Sequence, residues 1–374
     1  MKEEMSSLDI RFFVNELKNL VGGFIQKIYQ EGKKVRIEIY IADKGAFEIF
    51  YEPNKIFITE YRRKASEHPD AFGMTLRKHL LSQRILDIRQ HGFDRIIEIE
   101  TENNVLIFEI FSKGNVILCD KYKNIIMPLE VQLWKDRQII PKKPYNYPPP
   151  VCDPFGMNID SFKTFIVNSK KSIVRTLATD MSLSGLYAEE VCLRAGIDKN
   201  ALGTQISEDD LNKLYNALHS LILHFEPNIV IENDKMIDVV PFEMKLYSNK
   251  NTKKYTMFTT ALDEYFTKKE IATEEAETRK RKDEAIAAIQ RRLEEQKAML
   301  EKYKRFETEA RLKAEAIYRH FDLIKNIIDG LNRARAGGMK WVDIKEKIMS
   351  ENTPEAHAIK EIHEKDGIVV VEVE

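Results

Sequence analysis

The sequence predicts an α+β protein in three parts: a β-rich N-terminal domain over residues 1–150, a helical domain over 151–235 and a long coiled-coil arm over 269–374. A connector over 236–268 precedes the arm. Three observations predict this. Short runs of alternating and β-branched residues crowd the chain before Pro141, the pattern of strands. Helix starts and stops then follow one another from Phe162 to Leu223. From Ile271 to Gly330 the chain holds neither Gly nor Pro and carries an apolar heptad repeat.

The elements follow in order. Ser7 is placed to cap a helix whose apolar face is Ile10, Phe13, Val14, Leu17 and Leu20, and Gly22-Gly23 stops it. Strands are read at 24–29, 34–40, 46–51 and 55–61. A short helix over 72–81 interrupts them. Strands resume at 84–90, 95–100, 105–111, 115–119 and 124–127, with hairpin turns at Asn103-Asn104 and Lys113-Gly114. The proline-rich stretch 141–150 reads as an extended linker, because consecutive prolines cannot sit in a central strand. Helices follow at 162–168, 173–178, 186–194 (ended by Gly196) and from Ser207 to about Leu223. In the arm, Ile286, Leu293, Leu300, Ala314, Phe321 and Ile328 share one heptad position. Ile289, Tyr303, Ala310, Ile317, Ile324 and Leu331 lie three residues further on, and Gln296 and Glu307 break the seam. Short helices are read at 341–349 and 353–364, the second with Pro354 in first position. The strand-like run 367–374 predicts a chain that continues past Glu374. A partner for the coil lying there leaves the seam exposed and open to homodimerisation.

Composition excludes several classes. The net charge is −1, so no global basic field attracts nucleic acid, and any such contact must use local patches. Cys119, Cys152 and Cys192 have no metal-ligand spacing, and an odd, scattered set points to a reducing compartment. His68, His79 and His91 show no ligand spacing either, so no metal is proposed. No apolar signal core and no membrane-length run is present. The reading is a cytoplasmic protein with no membrane partner. No P-loop and no nucleophile-base constellation can be assembled, so no cofactor and no catalytic residue is assigned.

The segment 183–197, beginning Leu183-Ser184-Gly185-Leu186, resembles the helix-two-turns-helix of the formamidopyrimidine glycosylase superfamily. Its physics suits a phosphate, because tight turns and helix N-termini aim free amides outward. The chain departs from those enzymes at Gly185, where they carry asparagine, and it lacks their N-terminal proline nucleophile and zinc finger. A plain helical hairpin with Leu186, Val191 and Leu193 in the core remains an equal reading.

A wider resemblance covers the whole chain. Ser7-Leu8-Asp9-Ile10, Glu16-Leu17, the run 21–30, the 72–80 helix, Asp94-Arg95, Pro148-Pro149-Pro150, the helix-turn helices and the coil together resemble the NFACT family. These are the nuclear export mediator factor, Caliban and fibronectin-binding-protein-like factors of ribosome quality control. The resemblance implies a β-rich domain like the glycosylase fold. It also implies that Asp9, Asp94 and Arg95 hold a tRNA, with alanine tRNA as the named candidate. The setting would be a large ribosomal subunit obstructed by peptidyl-tRNA, where the ribosome itself performs the mRNA-independent tailing. An arginine fork suits a phosphate or a guanine edge, whereas a carboxylate must meet a base amine, a 2′-hydroxyl or the arginine. Taken one by one, the residues have plainer readings: Asp9 favours a helix start, Asp94 a turn, and Arg95 an ion pair with Glu98 or Glu100. Arg62, Arg63 and Lys64 are candidate RNA phosphate contacts, or a solvated face. Two rival functions stand beside this one: a non-catalytic glycosylase-like DNA-binding protein, and an adhesive or structural coiled-coil protein.

Overall fold

A computed structural model of the chain describes residues 2–63, 70–363 and 366–373. Lys64 and His68 lie outside the described residues. The chain divides into two units, Met1–Glu274 and Glu275–Glu374.

The first unit opens with α1 (Ser7–Leu17). Its cap is Ser6 rather than Ser7. The Ser6 Oγ accepts the Asp9 N–H, and the Asp9 carboxylate accepts the Ser6 N–H, a reciprocal box that leaves Ser7 inside the helix. An antiparallel meander follows, made of β1 (Phe24–Glu31), β2 (Lys34–Ile41), β3 (Gly45–Glu52) and β4 (Lys55–Thr59). After α2 (Ala71–Leu80) comes a five-stranded meander, with β5 (Ile85–Gln90), β6 (Ile96–Thr101), β7 (Asn104–Glu109), β8 (Asn115–Asp120) and β9 (Ile125–Pro128) in sequential order. The two sheets share one core with α1. Tyr51 packs on Phe108 at 5.4 Å and donates from its hydroxyl to the Glu109 carbonyl, and Phe13, Leu17, Ile88 and Ile99 belong to the same cluster.

Every residue of β7 is buried. Its second face carries a smaller cluster of Ile96, Val105, Ile107, Ile117, Ile139 and Tyr145. The stretch read as an extended linker supplies part of this cover. Ile125 donates its N–H to the Lys143 carbonyl, and Tyr145 donates to that of Lys123. A ribbon of β10 (Gln132–Leu133) and β11 (Gln138–Ile139) precedes it.

The helical part has α3 (Ile159–Asn168), α4 (Ile173–Arg175) running into a wide turn over Thr176–Asp180, α5 (Gly185–Ala195) and α6 (Glu208–Ser220). Gly196 ends α5 at φ +71°, a conformation favoured by glycine, and the Ser207 side chain caps α6. A sheet straddles the boundary between the 151–235 range read as helical and the 236–268 connector. β12 (Asn228–Glu232), β13 (Lys235–Val240) and β14 (Asn251–Lys254) form a sheet in the order β13-β12-β14. The long helix α7 (Phe258–Arg319) begins within the connector, with Phe258, Leu262, Tyr265 and Phe266 buried. Its first turn is capped from a distance, since the Glu16 carboxylate of α1 accepts the N–H groups of Phe258 and Thr259 at 2.7 Å each.

In the second unit α7 ends at Arg319 and α8 (Phe321–Ala336) follows. Ile286, Ile289, Leu293 and Leu300 of the seam are exposed, by 48 to 66%. α9 (Trp341–Ser350) and α10 (Pro354–Ala358) come next. The helix read over 353–364 stops at Ala358. Ile359 onward forms β15 (Ile359–His363), which pairs antiparallel with β16 (Ile368–Val371). The apolar run after Gly367 offers a ladder that a helix there would forgo.

Candidate functional site

A cleft of about 830 Å³ in the first unit is lined by Asp9, Asp94 and Arg95 together. The three residues singled out from sequence therefore share one site, although α1 and the β5–β6 turn are far apart along the chain. Pro148 and Pro149 form another part of the wall, and Gly185 and Leu186 at the start of α5 a third.

The turn carrying Asp94-Arg95 is held from several sides. Gly92 takes φ +56°, where a side chain would be strained. Asp94 donates its N–H to the His91 carbonyl, and His91 donates to that of Ile96. The Gln90 side-chain amide donates to the carbonyls of Asp94 and Ser7 at 2.8 and 2.9 Å, which fastens the turn to the head of α1. Asp94 Oδ1 accepts the N–H of Arg95 at 2.7 Å, while Oδ2 has no hydrogen bond among the described residues. Burial raises the Asp94 pKa, with the adjacent Arg95 opposing. Arg95 is half-buried. It donates from Nη1 to Glu4 at 3.0 Å, and its guanidinium lies 5.4 Å from the Phe111 ring. The sequence reading that paired Arg95 with Glu98 or Glu100 is corrected: Arg89, one strand away, takes both at 2.7 Å. Arg95 itself lines the cleft.

A ring stack ties two walls together. The His91 imidazole lies flat on Tyr147, with centroids 3.6 Å apart and planes within 8°. The Tyr147 hydroxyl bonds to Glu98, as does Lys123. Burial pushes the His91 pKa down. His91 directly precedes the Gly92–Arg95 turn and Tyr147 directly precedes Pro148, so the stack sets the distance between them.

Asp9 is placed differently. It is wholly buried, and both oxygens are enclosed. Oδ1 accepts from Lys2 Nζ at 2.8 Å and the Tyr187 hydroxyl at 2.6 Å, and Oδ2 accepts from the N–H and hydroxyl of Ser6 at 2.8 Å each. No lone pair is left for a ligand. Asp9 instead positions Lys2, Ser6 and Tyr187, which line the cleft. Sequence reasoning missed these supports because Tyr187 and Lys2 are joined to Asp9 only by the fold.

The start of α5 completes the site. Ser182 and Ser184 stand at φ +53° and +72°, a region that non-glycine residues seldom adopt. The Ser184 side chain makes no cap, so the first N–H groups of α5 open toward the cleft with the positive end of the helix dipole behind them. A Cβ built on Gly185 meets nothing within 4 Å, so the glycine leaves space there.

The basic cluster behaves otherwise. Arg63 forks onto Glu270 of α7 at 2.6 and 3.1 Å and covers Phe50 at 4.2 Å, so its guanidinium is engaged inside the fold. Arg62 is exposed. Both line a second cleft, of about 820 Å³, with Lys33, Lys34 and Tyr61. No helix among the described residues is long and apolar enough to cross a membrane.

Known proteins resemble this chain. Residues 6–359 match the family described as NFACT N-terminal and middle domains. The archaeal Rqc2 homolog aRqcH of Methanocaldococcus jannaschii is 31% identical over 398 residues, covering 99% of this chain and 58% of that protein. The human ribosome quality control complex subunit NEMF is 21% identical over 400 residues, covering 97% of this chain and 37% of that protein. The chain thus spans between about a third and three-fifths of these relatives' length. Among solved structures, the fibrinogen-binding protein of Staphylococcus aureus matches with a TM-score of 0.59 at 20% identity, covering 70% of this chain and 98% of that one. The N-terminal part of the fibronectin/fibrinogen-binding protein of Streptococcus suis matches with a TM-score of 0.58 at 22% identity, covering 71% of this chain and all of that one. At such identities these two share the fold.

Proposed function

The chain belongs to the NFACT family, and from that premise we propose that it is the tRNA-holding portion of a cytoplasmic ribosome quality-control factor. It grips a tRNA on an obstructed large ribosomal subunit and supports mRNA-independent tailing of the stalled chain. The ribosome carries out the peptidyl transfer. Relatives named as ribosome quality control proteins support the setting. The observation that carries the reading is the meeting of Asp94, Arg95 and the uncapped start of α5 in one cleft. Arg95 offers charge-assisted donors to a phosphate or guanine edge, and the free oxygen of Asp94 accepts from a base amine or a 2′-hydroxyl. Asp9 acts through Lys2, Ser6 and Tyr187 and touches no RNA. Arg62 remains the open phosphate contact of its cluster.

Asp94→Ala combined with Arg95→Ala is the test. The Arg95–Glu4 pair is exposed at its acidic end, so melting changes by less than about 1 kcal/mol. Binding of tRNA weakens by roughly 1–3 kcal/mol. Sharply reduced melting with unchanged tRNA affinity of the folded fraction refutes the assignment. Measuring duplex DNA at the same salt separates this reading from a DNA grip.

A further inference from the structure

A second surface of the first unit lies away from the cleft. Phe24 of β1 is paired across the ladder with Tyr40 of β2 on one side and with Arg84, just before β5, on the other. Residues directly opposite in antiparallel strands project from the same face. Arg84, Phe24 and Tyr40 therefore form one row across three strands. Their neighbours Ile25, Ile39 and Ile85 are buried, which places the row on the outer face. Phe24 is 47% exposed and Tyr40 41%, and Val21 and Leu86 beside them are exposed as well. With strands about 4.8 Å apart, the row is roughly 10 Å long.

We infer that this row is a stacking platform for unpaired RNA bases, separate from the tRNA cleft. Two aromatic rings and a guanidinium offer three flat π surfaces in line, the recurring arrangement for unpaired bases on a sheet. The charge around it fits a phosphate chain. Arg84, Lys18 and Lys44 are exposed and make no ion pair among the described residues, against two such acids, Asp43 and Glu102, the latter next to Arg84 in the β5–β6 register. The other nearby acid, Glu38, is held by Lys27 at 2.8 Å. Lys18 stands on the turn leading to Phe24, and Lys44 on the hairpin tip after Tyr40. An apolar protein partner would leave these cations without counter-charges.

The inference rests on the reading that the chain works on RNA, and its test is independent of the cleft. The probe is a short fluorescein-labelled oligouridylate, measured by anisotropy beside intact tRNA. The wild-type chain binds the oligonucleotide. Phe24→Ala and Tyr40→Ala each weaken that binding roughly five- to a hundredfold, while Phe24→Tyr with Tyr40→Phe restores it. Asp94→Ala with Arg95→Ala leaves it unchanged. Failure of the wild-type chain to bind oligouridylate while it binds tRNA overturns the platform and spares the cleft. Unchanged oligonucleotide affinity in the alanine variants, with unaltered circular dichroism, also overturns it. If those variants keep their oligouridylate affinity yet lose co-sedimentation with large ribosomal subunits treated with nuclease to remove exposed RNA, the face serves a protein contact and the inference fails.

Discussion

Replacing Asp9 with alanine separates a supporting carboxylate from a contacting one. The side chain is wholly buried and accepts four hydrogen bonds. Its removal takes the nearer acid from the Lys2 ammonium, whose side chain is only 8% exposed, and leaves it the Val239 carbonyl at 2.8 Å and Asp238 at 3.8 Å. It also leaves the fully buried Tyr187 hydroxyl without its acceptor, and it opens the Ser6 capping box. An orphaned buried hydroxyl costs about 1–3 kcal/mol and a lost cap about 0.5–2. Breaking a buried ion pair costs about 3–5 kcal/mol. These terms overlap, so the expected loss is about 3–5 kcal/mol in all. Urea unfolding followed by far-ultraviolet circular dichroism measures it. A cycle with Tyr187→Phe should show the two changes to be non-additive, because the second variant removes a bond that Asp9→Ala has already broken. If Asp9→Ala loses under about 1 kcal/mol yet weakens tRNA binding as much as Arg95→Ala does, a carboxylate oxygen faces the ligand and the enclosure argument is wrong.

Three further outcomes are expected. Burial works against ionisation of Glu98, but the Tyr147 hydroxyl, Lys123 and Arg89 outweigh it and hold its pKa below the ordinary value. Its stabilising effect is therefore full above the unfolded carboxylate pKa of about 4.3 and fades as pH falls through the lower folded value. The urea midpoints of wild type and Glu98→Gln should differ at neutral pH and converge in acid, and a pH-independent gap refutes this. The exposed seam of Ile286, Ile289, Leu293 and Leu300, each worth roughly 1.5–3 kcal/mol when covered, drives self-association. Light scattering should rise with concentration, and a strict monomer at high concentration contradicts it. No base excision is expected, so strand cleavage at an abasic site by the purified chain would overturn the non-enzymatic reading.

The legible parts of this fold are those whose cause is local. Alternation in 34–40 wrote β2, Gly196 and Ser207 marked helix ends, and the absence of Gly and Pro marked α7. What escaped has distant causes. The start of α7 is capped by Glu16, from the other end of the unit. β14 (Asn251–Lys254) is wholly exposed and has no apolar residue, so only its pairing with β12 defines it. In the site, Asp94 and Arg95 stand out only through the family resemblance, since a turn beside a strand end by itself gives them plainer readings. Their partners Glu4 and Gln90, and the enclosure of Asp9 by Lys2 and Tyr187, depend on contacts that no local pattern records.

The flat stack of His91 on Tyr147 makes two separate stretches of chain a single heritable trait. Neither ring can change shape without releasing the segment behind the other. Variation at the two positions should therefore be correlated, with planar side chains exchanged for planar ones. A lineage that loses one ring should lose the other or supply a new spacer. The width of the cleft can then be tuned by selection on two residues that do not line it.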